Sequence, residues 1–122
     1  MKHIIKDLKI TTKEGLSIKN YKTFPSREWG DNGGIQADVY LNDAYIGQVY
    51  DDGEGGMGDM YFEKGADIDN FKTACFNFLK RKDKDYLKHK FMPKQASACN
   101  EDDYVCMVDL IASFYTGKAR TI

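Results

Sequence analysis

No stretch of this chain approaches the about 18 consecutive apolar residues that a membrane-crossing helix requires, so a bilayer span is not expected. The first ten residues, MKHIIKDLKI, are charged throughout and hold no apolar signal-peptide core, which points to the cytoplasm. Excess charge of one sign is also missing. The formal net charge is -1, which argues against a general polyanion binder. Cysteines are few and odd in number (Cys75, Cys99 and Cys106), which disfavours a secreted disulfide framework. Cys75 and Cys106 lie inside helical patterns and read as small buried hydrophobes. There are two histidines, His3 and His89. With the cysteines they give no pair of short ligand spacings of the kind zinc needs, so no metal is expected. A histidine-based triad needs an orienting partner and a nucleophile, and both histidines sit among lysines instead. No internal repeat is present.

What is there begins with size and apolar content. At 122 residues, 42% hydrophobic and 13% aromatic, the chain is long enough for one core and too apolar for disorder. It reads as one domain over 1–122, β-rich over 1–63 and helical over 67–117. Its charge lies in bands. Met1 to Arg27 holds seven basic residues against two acidic ones, Asp51 to Phe71 seven acids against Lys64, and Lys72 to Lys94 eight bases against Asp83 and Asp85. Bands of this kind are solvated faces by default and can also steer a charged partner.

The pattern of the first half is extended. His3 to Ile10 forms an imperfect strand, Thr11 to Gly15 a turn, and Leu16 to Phe24 a second strand. Pro25 to Gly34 has no periodicity and reads as a loop. Ile35, Ala37, Val39 and Leu41 then alternate with Gln36, Asp38 and Tyr40, the cleanest strand of the chain. Asn42-Asp43 suits a two-residue hairpin turn, since both residue types tolerate the left-handed region. Ala44 to Tyr50 is the returning strand, and Met60 to Glu63 a short further one.

The second half is helical. Asp67 or Asp69 can cap a helix whose apolar stripe is Ile68, Phe71, Ala74, Cys75, Phe78 and Leu79. Lys82 would fall inside that stripe, so a break is expected near Lys82 to Lys84, with a second piece running to Phe91 before Pro93. Asn100 caps a last helix reaching about Thr116, with Gly117 as its C-terminal stop. Strands followed by helices give an α+β domain: an N-terminal antiparallel β-meander, then two to three helices packed on one face. On the last helix, Tyr104, Met107, Val108, Ile111, Ala112 and Tyr115 make a broad stripe, with Cys106 and Leu110 on the other side. Either that helix is central, the expectation for so small a domain, or Cys106 and Leu110 meet another copy, so the chain is a monomer or a homodimer.

Three surfaces carry functional readings. The connection from Asp51 to Asp59, DDGEGGMGD, is neither a phosphate-binding P-loop nor a dinucleotide fingerprint, and it lacks the ligand spacing of a calcium loop. Its acids Asp51, Asp52, Glu54 and Asp59 could meet a basic protein surface. The segment KRKDKDYLKHKFMPK interleaves Tyr86 and Phe91 with Lys80, Arg81, Lys82, Lys84 and Lys88, a candidate nucleic-acid patch with charge for phosphates and rings for bases. No catalytic constellation or cofactor site is visible, and an enzyme whose site escapes sequence reading is the remaining alternative.

The run QADVYLNDAYIGQVYDDGEGGMGDMYF is similar to a hairpin-plus-glycine-loop stretch, DVYLNGKKIGxVxDDGxGG, of small proteins from bacteriophages and other mobile elements. It covers about residues 35–63 and departs at Asn42 to Tyr45. The resemblance implies an accessory or counter-defence role of the anti-CRISPR or anti-restriction type. It implies a small non-enzymatic protein that blocks a host nucleoprotein effector by protein contact, without a cofactor. It brings no active site to carry over.

Overall fold

The structure is a computed structural model that describes residues 3–4, 9–26, 30–51, 58–88, 94–99, 101–115 and 121–122. Six strands form one antiparallel sheet: β1 (His3–Ile4), β2 (Lys9–Thr11), β3 (Leu16–Ser26), β4 (Gly30–Leu41), β5 (Ala44–Asp51) and β6 (Asp59–Phe62). The order is β1-β3-β4-β5-β6, and β2 lies beside β1 on the same flank of β3. Two helices follow, α1 (Ile68–Lys82) and α2 (Glu101–Ala112), with 3-10 turns at Tyr86–Lys88 and Ala96–Ala98. The meander followed by helices is the α+β arrangement that the order of patterns predicts.

The Ile35–Leu41 alternation is a strand with its apolar face inward. Ile35, Ala37, Val39 and Leu41 are all buried, while Gln36, Asp38 and Tyr40 stay partly open. The hairpin turn is at Asn42 and Asp43, with φ of 49° and 67°. Positive φ at both central residues matches the right-handed twist of the flanking strands. Gly15, at φ 92°, closes the turn before β3, and its carbonyl accepts from the Asn42 amide at 2.9 Å.

Two strand bounds differ from the sequence reading. The His3–Ile10 pattern divides into β1 and β2, each pairing with a different part of β3. Of the segment 25–34, read as a loop, residues 25–26 and 30–34 instead extend β3 and β4: Phe24 pairs with Gly34 and Ser26 with Gly30. Ladder hydrogen bonds come from backbone groups and need no side-chain alternation, so a polar, glycine-bearing stretch can pair.

Helix α1 starts where expected. The Asp67 carboxylate accepts from the Asn70 amide at 3.2 Å, satisfying one of the free donors of the first turn. Phe71, Ala74, Cys75, Phe78 and Leu79 are buried, joined by Phe76. Ile68, assigned to the same stripe, is 36% exposed because it precedes the first turn that meets the sheet. The helix ends at Lys82, and the Asp83 amide closes it on the Leu79 carbonyl at 2.8 Å. The Asp85 amide donates to the Asp83 carboxylate at 3.0 Å, a local turn that competes with further helix. Tyr86 then enters the core, 1% exposed and edge-on to Phe76 with ring centroids 5.7 Å apart. Of the expected second helical piece, the described residues show a 3-10 turn at Tyr86–Lys88; its end at Phe91 and the Asn100 cap lie outside the described residues.

On α2 the buried set is Tyr104, Val105, Met107, Val108 and Ile111. The stripe is therefore rotated to take in Val105, and this leaves Cys106 and Asp109 exposed and Leu110 half-buried. The helix is not enclosed on all sides, and Cys106 is not the buried thiol expected, whereas Cys75 is. The helix ends at Ala112 rather than Thr116, the Ser113 amide making its last i to i−4 bond, to the Asp109 carbonyl at 3.1 Å. The Phe114 and Tyr115 amides turn back to Ile111 and Ala112 in a tighter i to i−3 turn, and Gly117 lies outside the described residues. From β3, the Tyr21 hydroxyl donates to the Asp109 carboxylate of α2 at 2.9 Å. Phe62, Phe71 and Tyr104 form a three-ring cluster, with centroids 5.4 to 5.7 Å apart, that joins β6, α1 and α2.

The last two described residues lock the β2 end. Thr121 bridges Thr11 in parallel, the Ile122 amide donates to the Thr11 carbonyl at 2.8 Å, and Ile122 is buried. Arg81 clamps this corner. Its Nε and Nη2 donate to the two Glu14 oxygens at 2.7 and 2.9 Å, and Nη2 also reaches the Ile122 carbonyl at 2.9 Å. The two-pronged bond from Arg81 holds the Glu14 carboxyl below its ordinary value of 4.5, against the opposing effect of burial. A carboxyl depressed in the folded state adds stability at pH above its unfolded value, and that stability is lost as pH falls through the folded value. The pair is partly exposed and screened by solvent, so Glu14→Gln is expected to cost about 0.5–1 kcal/mol at pH 7. It should also shrink the loss of stability of the wild type below about pH 4.5, the ordinary value. Urea melts of both proteins between pH 3 and 7 check this, and parallel curves would refute it.

No helix among the described residues is long and apolar enough to cross a membrane.

Candidate interaction surface

The described helices pack on one face of the sheet, and the other face carries the exposed Tyr45, Tyr50, Asp59 and Tyr61. The register builds it in rows. Lys9, Lys19, Asp38, Gln48 and Tyr61 lie across β2, β3, β4, β5 and β6. Beside them run Lys22, Gln36, Tyr50 and Asp59, and on the other side Thr11, Ser17, Tyr40 and Tyr45. Four tyrosines thus share one face. Tyr61 is 57% exposed, Tyr45 40% and Tyr50 39%, so the largest exposed rings among the described residues sit together.

Two bulges make these rows. Between Lys19 and Lys22, β3 carries one residue more than β4. Asn20 takes φ 56° there, so Lys19 and Lys22 face the same way and Tyr21 turns inward. On β5, Tyr45 opposes Tyr40 while Gly47 opposes Val39. The extra residue, Ile46, is buried along with Gly47, and this returns Gln48 and Tyr50 to the open side with Tyr45.

The face is polar as well as aromatic. The Lys19 ammonium sits 4.1 Å from the centroid of the Tyr40 ring, and Tyr40 and Tyr45 meet edge-on at 5.3 Å. The Asp38 carboxylate accepts from the Asn20 amide at 2.8 Å and from the Gln48 amide at 3.1 Å. The Tyr61 hydroxyl donates to Asp59 at 3.3 Å.

Of the four acids of the β5–β6 connection, Asp52 and Glu54 lie outside the described residues. Strand alternation places the other two on opposite faces. Asp59 is exposed on the open face opposite Tyr50. Asp51 is half-buried on the helix side, opposite Ile35. Gly58 fits between Asp51 and Val105 of α2, where a Cβ would come within 3.0 Å of both side chains.

The basic segment is dispersed. Lys80, Lys82, Lys84 and Lys88 are exposed, but Arg81 is bound to Glu14, Lys88 lies 3.4 Å from Asp85, and Tyr86 is buried. The patch read from sequence thus lacks one of its cations and one of its two stacking rings; Phe91 lies outside the described residues. Cys106 and Leu110 share the outer side of α2, the first exposed and the second half-buried.

Among the described residues no group of three or more His, Cys, Asp or Glu side chains could hold a metal ion. Burial pushes the thiols of Cys75 and Cys99 up from their ordinary value, away from the reactive thiolate. Two cavities of about 330 and 290 Å³ flank Asn70, the first lined by Glu14, Asn42, Thr73 and Asn77, the second by Tyr45, Lys64 and Asp67, and another of about 290 Å³ is lined by Asp69, Lys72, Thr73, Ala96 and Ser97.

No protein-family model matches the chain, and no curated protein or solved structure matches it.

Proposed function

We propose that this is a small non-enzymatic binding protein of a mobile element. In this reading it acts in the cytoplasm and inhibits a host nucleic-acid-targeting defence complex of the anti-CRISPR or anti-restriction type by protein contact. The observation that carries the reading is the placement of the exposed Asp59 among exposed tyrosines on one sheet face, at the end of the acidic stretch of sequence. Tyrosine gives large contact area at low entropic cost and is enriched in protein interfaces. Carboxylates beside it favour a partner surface rich in Lys and Arg, such as one that ordinarily holds nucleic acid.

The test is a plating assay. The gene is expressed in hosts with and without an active CRISPR or restriction system, and a sensitive phage is plated on both. Plating should rise by orders of magnitude only on the defended host. An Asp52→Asn, Glu54→Gln, Asp59→Asn variant, which leaves the helix-side Asp51 unchanged, should fold and lose most of this effect, mainly through slower and less salt-sensitive association. Unchanged plating across a panel of defended hosts would refute the proposal.

A further inference from the structure

We infer that the open sheet face is a receptor for arginine- or lysine-bearing segments of a protein partner, its exposed tyrosine rings taking the cations and the flanking carboxylates pairing with them. The inference rests on the reading of a basic partner above and names where that partner sits.

Each exposed ring has an acid beside it. Tyr61 hydrogen-bonds Asp59, and Tyr50 stands opposite Asp59 in the register. Tyr45 lies close enough to Asp38 and Glu63 for both carboxylates, after burial, to raise its hydroxyl from the ordinary value. A cation over a tyrosine face is attracted by the ring quadrupole, and a carboxylate alongside adds a charge-assisted hydrogen bond. The chain carries an internal instance of the first contact, the Lys19 ammonium on Tyr40. Tyr45 and Tyr61 offer the same kind of ring with more of it open to solvent.

The charge pattern selects among occupants. Asp38, Asp59 and Glu63 stand among the β4–β6 rings and would repel the phosphates of a nucleic acid laid across them, while Lys9 and Lys22 lie to the β2–β3 side and Lys19 is already seated on Tyr40. A second protein whose cations meet the β4–β6 half and whose acids meet the lysines matches both ends. Arginine suits the site better than lysine, because its planar guanidinium can stack on a ring while its edge pairs with a carboxylate.

The experiment uses the whole chain and three probes: a peptide of alternating arginine and glycine, one of alternating glutamate and glycine, and a single-stranded oligothymidylate. Binding is followed by calorimetry and by amide chemical shifts. The arginine peptide should bind saturably and shift amides of β4, β5 and β6, and the other two should not. The Tyr45→Ala, Tyr61→Ala pair should weaken binding by about tenfold, two ring contacts together. The corresponding Phe pair should hold binding within about twofold, because the ring face remains. Tyr45→Leu and Tyr61→Leu, which keep apolar bulk, guard against loss of folding and should weaken binding like the Ala pair. Equal affinity for wild type and the Leu variants would overturn the inference, as would oligothymidylate shifting the same amides while the peptide does not. The plating assay is separate: its failure removes the counter-defence role, whereas failure of the peptide assay removes this surface.

Discussion

Gly47→Ala is expected to unfasten β6 and to cost about 3–5 kcal/mol, a large share of the stability of a domain this size. A Cβ at Gly47 would fall 2.9 Å from the Phe62 Cα and 3.1 Å from the Tyr61 carbonyl carbon, and closer still to the Tyr61 oxygen. All three are backbone atoms of the neighbouring strand, so no rotamer change relieves the clash. The bulge that places Gly47 there also removes the freedom to slide, since Val39 opposes it on the other side. The midpoint of thermal unfolding should drop by about 10 °C or more. Because Asp59 and Tyr61 ride on β6, arginine-peptide binding should fall with it at temperatures where the chain is still folded. A midpoint within about 2 °C of wild type would mean that β6 does not lie against Gly47.

Val39→Asp is the second large effect. Val39 is fully buried, paired with Ile18 on β3 and Gly47 on β5, at the centre of the sheet face that the helices cover. An aspartate there would place a charge in a core that, among the described residues, buries no Lys or Arg, or force the carboxyl to stay protonated at neutral pH. Either course costs about 3–5 kcal/mol. Circular dichroism should show loss of cooperative melting near physiological temperature, and stability should recover in part as pH drops and the carboxyl takes a proton. A variant that melts like the wild type at pH 7 would refute the Ile35–Leu41 register.

Several elements were legible because their signal is local. Asn42-Asp43 announces a hairpin through the φ values those side chains tolerate, and Asp67 announces a helix start through a carboxylate placed to accept a free amide. The end of α1 near Lys82 follows from a charge arriving where the stripe needs an apolar residue. The limits of α2 were less legible. Nearly every residue from Tyr104 to Ile111 is apolar, so many stripes fit, and the sheet's shape, not periodicity, sets the rotation that buries Val105 and exposes Cys106.

The candidate surface was legible only in part. The Asp51–Asp59 connection stands out by composition, yet its two described acids fall on opposite faces of the sheet. The basic segment stands out too, but Arg81 is drawn to Glu14 and Ile122 and Tyr86 is drawn into the core. Those partners lie 67, 41 and 10 residues away in sequence, and no local pattern marks the two longer pairings.

What the sequence by itself determined is the class: one α+β chain, the β4–β5 hairpin with its buried Ile35, Ala37, Val39 and Leu41, and helices after the strands, read as two to three, of which the described residues show two. Those follow from periodicity and from the backbone preferences of single residues, which act over a few positions. Only the tertiary structure decided the tyrosine face. A strict two-residue period would send Tyr45 and Tyr50 to opposite sides of β5, and likewise Lys19 and Lys22 on β3. One extra residue in each strand reverses that, and whether a strand bulges depends on the register and packing of its neighbours. The pairing of strands, a non-local property, therefore gathered four tyrosines and their carboxylates onto one surface.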